Sequence, residues 1–130
     1  MSDPDQAPAQ EQLLTLTTRR EGEATVVTAT GEVDLVTAGR LQDATAAALA
    51  EPTAVVVVDL THVTFLGSSG LSALVAAARA AAARREPLRV VVDHTRPVVR
   101  PIEASGLDGL LSLYTDVEDA LIGPEAERRG

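Results

Sequence analysis

AVVVVDL, residues 54–60, is a continuous apolar run with four valines in succession. Such a run, without the alternation of a half-exposed strand, reads as a strand buried on both faces. Upstream of it, residues 35–50 (LVTAGRLQDATAAALA) place Leu35, Ala38, Leu41, Thr45 and Leu49 near helical spacing, with Asp34 available as N-cap and Pro52 closing the connection. Downstream, THVTFLGSSG (61–70) is a short polar connector. A second helix then shows Leu71, Leu74, Val75 and Ala78 on one face, reaches Arg84-Arg85 and stops before Pro87. LRVVVD (88–93) repeats the buried-strand pattern. Residues 95–105 suggest a short helix ended by Gly106, kinked or beginning at Pro101, because proline in a helix interior costs about 3 kcal/mol. LLSLY (110–114) is a last strand, and residues 116–122 a last helix capped by Thr115 or Asp116.

Before this core come LLTLTT (13–18) and ATVVTAT (24–30), two threonine- and valine-rich runs flanking the charged turn Arg19-Arg20-Glu21-Gly22-Glu23, the pattern of a β-hairpin. The order is β-β-α-β-α-β-α-β-α. Buried strands alternating with helices require crossover connections, so the expected fold class is α/β, a mostly parallel sheet with an edge hairpin. Residues 1–10, with Pro4 and Pro8 and no periodicity, read as a disordered tail, 11–122 as one domain, and 123–130 as a flexible tail.

At 130 residues, 45% hydrophobic and 23% charged, the chain can bury a real core and has room for one domain. It has no cysteine, which excludes disulfides, thiolate metal sites and a cysteine nucleophile. All 11 basic residues are arginine, which excludes a Walker-type phosphate loop and Schiff-base chemistry. The net charge of −8 sits mainly at the ends, −3 in residues 1–12 and −3 in 116–130. Acidic ends and only two aromatic residues, Phe65 and Tyr114, argue against a nucleic-acid binder. The polar, acidic N-terminus is unlike a signal peptide. The most apolar run, 71–83, is alanine-dominated, interrupted by Ser72 and Arg79 and too short to span a bilayer. A cytoplasmic protein without membrane contact is the expectation.

Ligands and reactive groups in open α/β sheets gather beyond the carboxyl ends of the strands. Residues 31–34 and 61–70 arrive there with polar character. In Gly67-Ser68-Ser69-Gly70 two hydroxyls stand where a helix begins, and a helix N-terminus tolerates a phosphate because its first N–H groups lack partners. The plainer reading makes Ser68 or Ser69 an N-cap, worth about 1 kcal/mol. His62 and His94 each follow an aspartate-bearing strand end without the carboxylate cluster of a metal site, and read as surface loop residues. Ser68, His94 and Asp93 would supply a hydrolase triad, but the G-x-S-x-G elbow is missing. Asp59 ends a strand as a receiver phosphoacceptor would, yet neither an upstream acidic pair nor a lysine accompanies it; it reads as a strand-end residue bonded to the following loop.

Thr30-Gly31-Glu32-Val33-Asp34, then residues 59–71 (DLTHVTFLGSSGL) and Ala104-Ser105-Gly106-Leu107, strongly resemble in order and separation the STAS-domain anti-sigma factor antagonists of bacteria. The resemblance covers about residues 11–122. It implies a partner-switching regulator, not an enzyme, with no cofactor of its own. The unphosphorylated antagonist binds an anti-sigma factor that is itself an ATP-dependent serine kinase, and so frees a sigma factor. The kinase phosphorylates the first serine of the helix-opening motif, and a phosphatase restores it. Carried onto this chain, Ser68 matches the phosphoacceptor, with Ser69 as second choice. Asp34 matches the acidic residue that helps dock the kinase, and Gly67, Ser69 and Gly70 complete the partner-contacting motif. Better-known members carry aspartate immediately before the phosphoserine, where this chain has Gly67. That departure sustains an alternative, an adaptor or ligand-sensing module that docks constitutively and is never phosphorylated.

Overall fold

The structure, a computed structural model, describes residues 13–52, 55–84, 86–93 and 98–124. The expected tail at 1–10, the start of the valine strand at Ala54, Arg85, His94, Thr95 and residues 125–130 of the second tail lie outside the described residues.

Five strands form one sheet in the order β1-β2-β3-β4-β5. β1 (Leu14–Glu21) and β2 (Ala24–Val33) are the antiparallel hairpin; β3 (Val55–Leu66), β4 (Arg89–Val91) and β5 (Ser112–Tyr114) follow in parallel with β2. The hairpin's charged turn is tighter than its composition suggests. Glu21 pairs with Ala24, leaving a two-residue loop in which Gly22 takes φ 62°, the left-handed conformation such loops require. The order ββαβαβαβα and the α/β class are as expected.

The helices are α1 (Ala38–Ala50), α2 (Ser68–Ala83), α3 (Val99–Ala104) and α4 (Val117–Ile122), with a 3-10 turn at Leu107–Gly109. α1 and α2 lie against each other on one face of the sheet, and α3 joins them there. Leu41, Leu49, Leu74 and Ile102 pack on Val27, Val56, Val58 and Val90 in the larger core. α4 covers the opposite face, where Ala120 meets Val26, Val57, Val91 and Tyr114. Alternate valines of residues 55–58 serve the two cores, which is why the run shows no polar position.

Several boundaries differ from expectation, beginning with β1 and β2, which run on to Glu21 and Val33. The valine strand does not end at Leu60 but continues through residues 61–66, pairing with β2 as far as Val33↔Leu66. Two irregularities hide this continuation. While β2 advances from Thr28 to Thr30, β3 advances from Asp59 to His62, and the step from Gly31 to Glu32 is matched by Val63 to Phe65. Each inserts a residue into β3, the geometry of a β-bulge. Asp59 is therefore inside the strand, not at its end; its Oδ1 accepts from the Thr61 N–H at 3.0 Å and the Thr61 hydroxyl at 2.7 Å. The first helix buries Leu41, Thr45 and Leu49, but Leu35 is 84% exposed, on a turn preceding the helix. Pro101 neither kinks nor starts α3: it sits in the first turn, where its missing N–H has no partner to lose. The last two ladders are short, and Leu110 lies outside its strand, 56% exposed.

Candidate functional site

β2 and β3 project together beyond the end of β4, which pairs with β3 only as far as Asp59↔Val91. At their tips the Gly67 N–H donates to the Val33 carbonyl at 3.0 Å. The residues that follow this bonded pair are Asp34 and Ser68, so the turn into α1 and the start of α2 stand beside one another. Gly70 allows the close approach. A Cβ there would lie 2.5 Å from Leu66 Cδ1 and 2.8 Å from Val33 Cγ1. Asp34, Gly67, Ser68, Ser69 and Gly70 are thus gathered at one edge of the sheet.

Neither serine is the N-cap. That position belongs to Gly67, whose carbonyl accepts the first helical bond from Leu71 N at 3.0 Å. Ser68 and Ser69 are instead the first and second helical residues. Ser68 is exposed, Ser69 half-buried and Gly70 buried. The expectation that a serine hydroxyl caps the helix is corrected: no side chain caps α2. Ser68 is exposed at the start of the helix, where the backbone N–H groups of the first turn have no intrahelical acceptor, a setting that tolerates an added anion.

Asp34 is the expected N-terminal acid, and its side chain organises the turn. Oδ1 accepts from the Val36 N–H at 2.9 Å and the Thr37 N–H at 3.0 Å, while Ala38 N donates to the Asp34 carbonyl at 2.9 Å. The sequence reading missed Thr37. Its buried hydroxyl accepts from the Asp34 N–H at 2.9 Å, donates to the Glu32 carbonyl at 2.8 Å and lies 3.1 Å from Asp34 Oδ1. Asp34 and Thr37 exchange bonds in the manner of a capping box, but on the turn ahead of the helix: the N-cap of α1 is Thr37, not Asp34 as expected, and no side chain caps the helix itself. The Thr37 N–H is the main reason the Asp34 carboxyl is held below its ordinary range, reinforced by the Thr37 hydroxyl and the Val36 N–H against partial desolvation.

The sequence reading also passed over exposed apolar side chains. Leu35 (84% exposed), Val36 (55%) and Phe65 (49%) flank the two helix starts. Leu35 and Val36 point outward because the capping box spends residues 34–37 on a turn before α1 begins. Glu32 is exposed beside them, so the edge is acidic as well as apolar.

The other candidates do not join this edge. His62 is exposed on β3, and Asp93 is half-buried beyond β4. The serine-histidine-aspartate arrangement involves His94, outside the described residues. Among the described residues no group of three His, Cys, Asp or Glu is placed to hold a metal ion, and no helix is long and apolar enough to cross a membrane. A cavity of about 240 Å³ lies between α1 and α2, lined by residues such as Thr45, Leu49 and Ala77; another of about 320 Å³ adjoins Ala82, Pro87 and Leu110. Neither is lined by the serines.

A family profile described as Mlab, STAS domain matches residues 16–113. The anti-sigma-F factor antagonist RsfB of Mycobacterium tuberculosis is 34% identical over 115 residues, 88% of this chain and 93% of that protein. The crystal structure of an anti-sigma factor antagonist from Mycobacterium paratuberculosis superposes with a TM-score of 0.74 at 32% identity, covering 96% of this chain and 99% of that one. The Bacillus cell fate determinant SpoIIAA in its phosphorylated form shares the fold, with a TM-score of 0.58 at 19% identity over 80% of this chain and 95% of its own.

Proposed function

Because the chain belongs to the STAS-domain family of anti-sigma factor antagonists, which are regulators and not enzymes, we propose that it binds an anti-sigma factor with serine kinase activity and is switched off by phosphorylation of Ser68. The observation that carries the reading is the placement of Ser68: exposed, free of any capping role, at the first position of α2 and set beside Asp34 by the Gly67–Val33 hydrogen bond. In the unmodified state the partner covers Ser68 together with Asp34, Gly67, Ser69 and Gly70, and the sigma factor is released. Phosphorylation adds about −1.5 to −2 charges and three acceptor oxygens. The helix N-terminus accommodates that charge without unfolding, so the modification acts on the interface. On an edge that already carries Glu32 and Asp34, the dianion repels a partner surface suited to carboxylates and must be desolvated when the complex forms. A phosphatase that removes the phosphate restores binding, and the cycle belongs in the cytoplasm, where ATP and sigma factors are.

The test is to incubate the protein with ATP and a purified anti-sigma factor of the same bacterium, then locate any phosphate by mass spectrometry. One phosphate on Ser68 is expected, together with binding by Ser68→Ala and at least about tenfold weaker binding by Ser68→Glu in calorimetry. Phosphate on Ser69 would move the switch by one residue. Gly67 favours a second reading, constitutive docking without modification, because it places no carboxylate before Ser68 to orient the hydroxyl. Complex formation with no mass gain would establish that reading instead.

A further inference from the structure

Resting on that proposed function and deepening it, we infer that Phe65 is an aromatic anchor for the anti-sigma partner and that Gly67 is the residue that positions it. Phe65 is the only phenylalanine in the chain and is about half exposed, beside the end of β3. It belongs to neither buried core. Gly67 has φ −86° and ψ −176°, extended backbone that any residue adopts, so backbone conformation does not call for glycine here. What uses the missing side chain is the Phe65 ring. A Cβ on residue 67 would stand 3.1 Å from ring atom Cε2 and 3.3 Å from Cζ, closer than ordinary contact. The ring therefore lies close to Gly67, immediately ahead of Ser68, and a side chain at 67 makes it give by a few tenths of an ångström.

Phe65 does not stand alone. Among the described residues five large apolar side chains are exposed, and three of them, Leu35 and Val36 on the turn before α1 and Phe65 near the end of β3, belong to the two segments joined by the Gly67–Val33 bond. Singly scattered apolar residues need no explanation, whereas a cluster marks a contact surface. A kinase that must reach Ser68 Oγ approaches this same edge, so it is the macromolecule that covers the cluster. An aromatic ring already seated offers large contact area with little rotamer freedom left to lose, the property that makes aromatic residues recurrent anchors at interfaces. Gly67 thus leaves room for the ring immediately ahead of Ser68, and partner choice in this chain depends on the pair.

The test is a double-mutant cycle. Wild type, Phe65→Leu, Gly67→Ala and the double variant are titrated without ATP against the purified anti-sigma factor of the same bacterium. Each single change should weaken binding about tenfold, as for other anchor truncations. The double variant should bind no more weakly than Phe65→Leu, because Gly67 acts through the ring. With 4-fluorophenylalanine at the single Phe position, the fluorine resonance should move in free Gly67→Ala and move again or broaden when partner is added to wild type. Unchanged affinity in both single variants, independent additive losses, or a fluorine signal indifferent to complex formation would overturn the inference while leaving the proposed function standing. A wild-type chain that binds no anti-sigma factor would refute both. If Gly67→Ala fails to fold, as judged by circular dichroism, the wild-type fluorine spectrum with and without partner still decides.

Discussion

Thr37 and Asp34 satisfy one another's donors: the Asp34 N–H bonds to Thr37 Oγ1 at 2.9 Å while the Thr37 N–H bonds to Asp34 Oδ1 at 3.0 Å. Because the Thr37 hydroxyl is fully buried and also donates to the Glu32 carbonyl, the box ties the turn to the end of β2. The turn holds Leu35 and Val36 outward and fixes Asp34 next to the start of α2. A carboxylate expected to contact a partner is therefore also a structural cap.

This double duty makes the turn sensitive to acid. The Thr37 N–H, aided by the Thr37 hydroxyl and the Val36 N–H, lowers the Asp34 pKa in the folded state relative to the unfolded chain. A depressed carboxyl stabilises the fold in its ionised form. Its contribution is complete above the unfolded value, about 3.9, and is lost as pH falls through the lower folded value. In melting curves collected downward from about pH 5, the stability difference between wild type and Asp34→Asn should narrow steadily. Parallel profiles down to the acid transition would show that the carboxylate does not cap the turn.

Two helical glycines should respond oppositely to alanine. Gly39, in the first turn of α1, has open space where a Cβ would stand. Gly39→Ala should stabilise by up to about 1 kcal/mol through helix propensity and reduced freedom of the unfolded chain. Gly70→Ala gains the same propensity term, but its Cβ meets Leu66 Cδ1 at 2.5 Å and Val33 Cγ1 at 2.8 Å. Leu66 can move its branch; Val33, fully buried and β-branched, cannot easily do so. Overpacking of this kind costs about 1–3 kcal/mol, so a net loss is expected in denaturant titrations. A Gly70→Ala protein as stable as Gly39→Ala would mean that the approach of α2 to β2 is looser than the described geometry.

How much of this was legible in the sequence varies with the physical source of each feature. The valine run declared a two-sided strand because burial on both faces leaves no room for polar positions. Its continuation to Leu66 was illegible because the two bulges break the period-two pattern and leave Thr61, His62 and Thr64 looking like a loop. The gathering of Asp34 and Ser68 could be anticipated from strand ends alone, since both follow parallel strands. Gly67 as the cap of α2 could not, because what sets the helix start is the bond of its amide to Val33, a contact 34 residues away in sequence. Thr37 was legible in principle, three positions after the acid expected at the helix start, where a hydroxyl can answer that residue's N–H. Phe65 was not: half-exposed and buried phenylalanines look alike in a sequence.

A buried hydroxyl offers a stabilising change. Thr25 is 1% exposed in β2, and among the described residues its Oγ1 has no hydrogen-bond partner. An unsatisfied buried hydroxyl costs on the order of 1–3 kcal/mol. Valine has nearly the same shape and suits a strand equally well. Thr25→Val should therefore raise the melting temperature by a few degrees, with antagonist binding unaltered because Thr25 lies near the hairpin end of β2. A lowered melting temperature would indicate that the hydroxyl has an acceptor, an ordered water for instance.

The last helix hangs on one buried cation. Arg89, 9% exposed on β4, donates from Nη1 to the carbonyl oxygens of Ala120 at 2.8 Å and Leu121 at 3.4 Å, and from Nη2 to Glu86 Oε1 at 3.0 Å. A cation at a helix C-terminus meets unpaired carbonyls and the negative end of the helix dipole. Gly123 completes the arrangement: with φ 79°, it leaves space in which a Cβ would press within 2.7 Å of the guanidinium. Arg89→Met keeps the apolar stem but strands those carbonyls and the Glu86 carboxylate, at an expected loss of about 1–3 kcal/mol. Gly123→Ala should destabilise by a comparable amount through the left-handed conformation and the contact together. Because both substitutions break the same junction, their combined loss should fall short of the sum. Hydrogen exchange should show α4 opening first in either variant, while the hydrogen-bonded amides of α2 from Leu71 onward stay protected. Equal deprotection of α2 and α4 would show that the Arg89 junction supports the whole sheet and not the last helix alone.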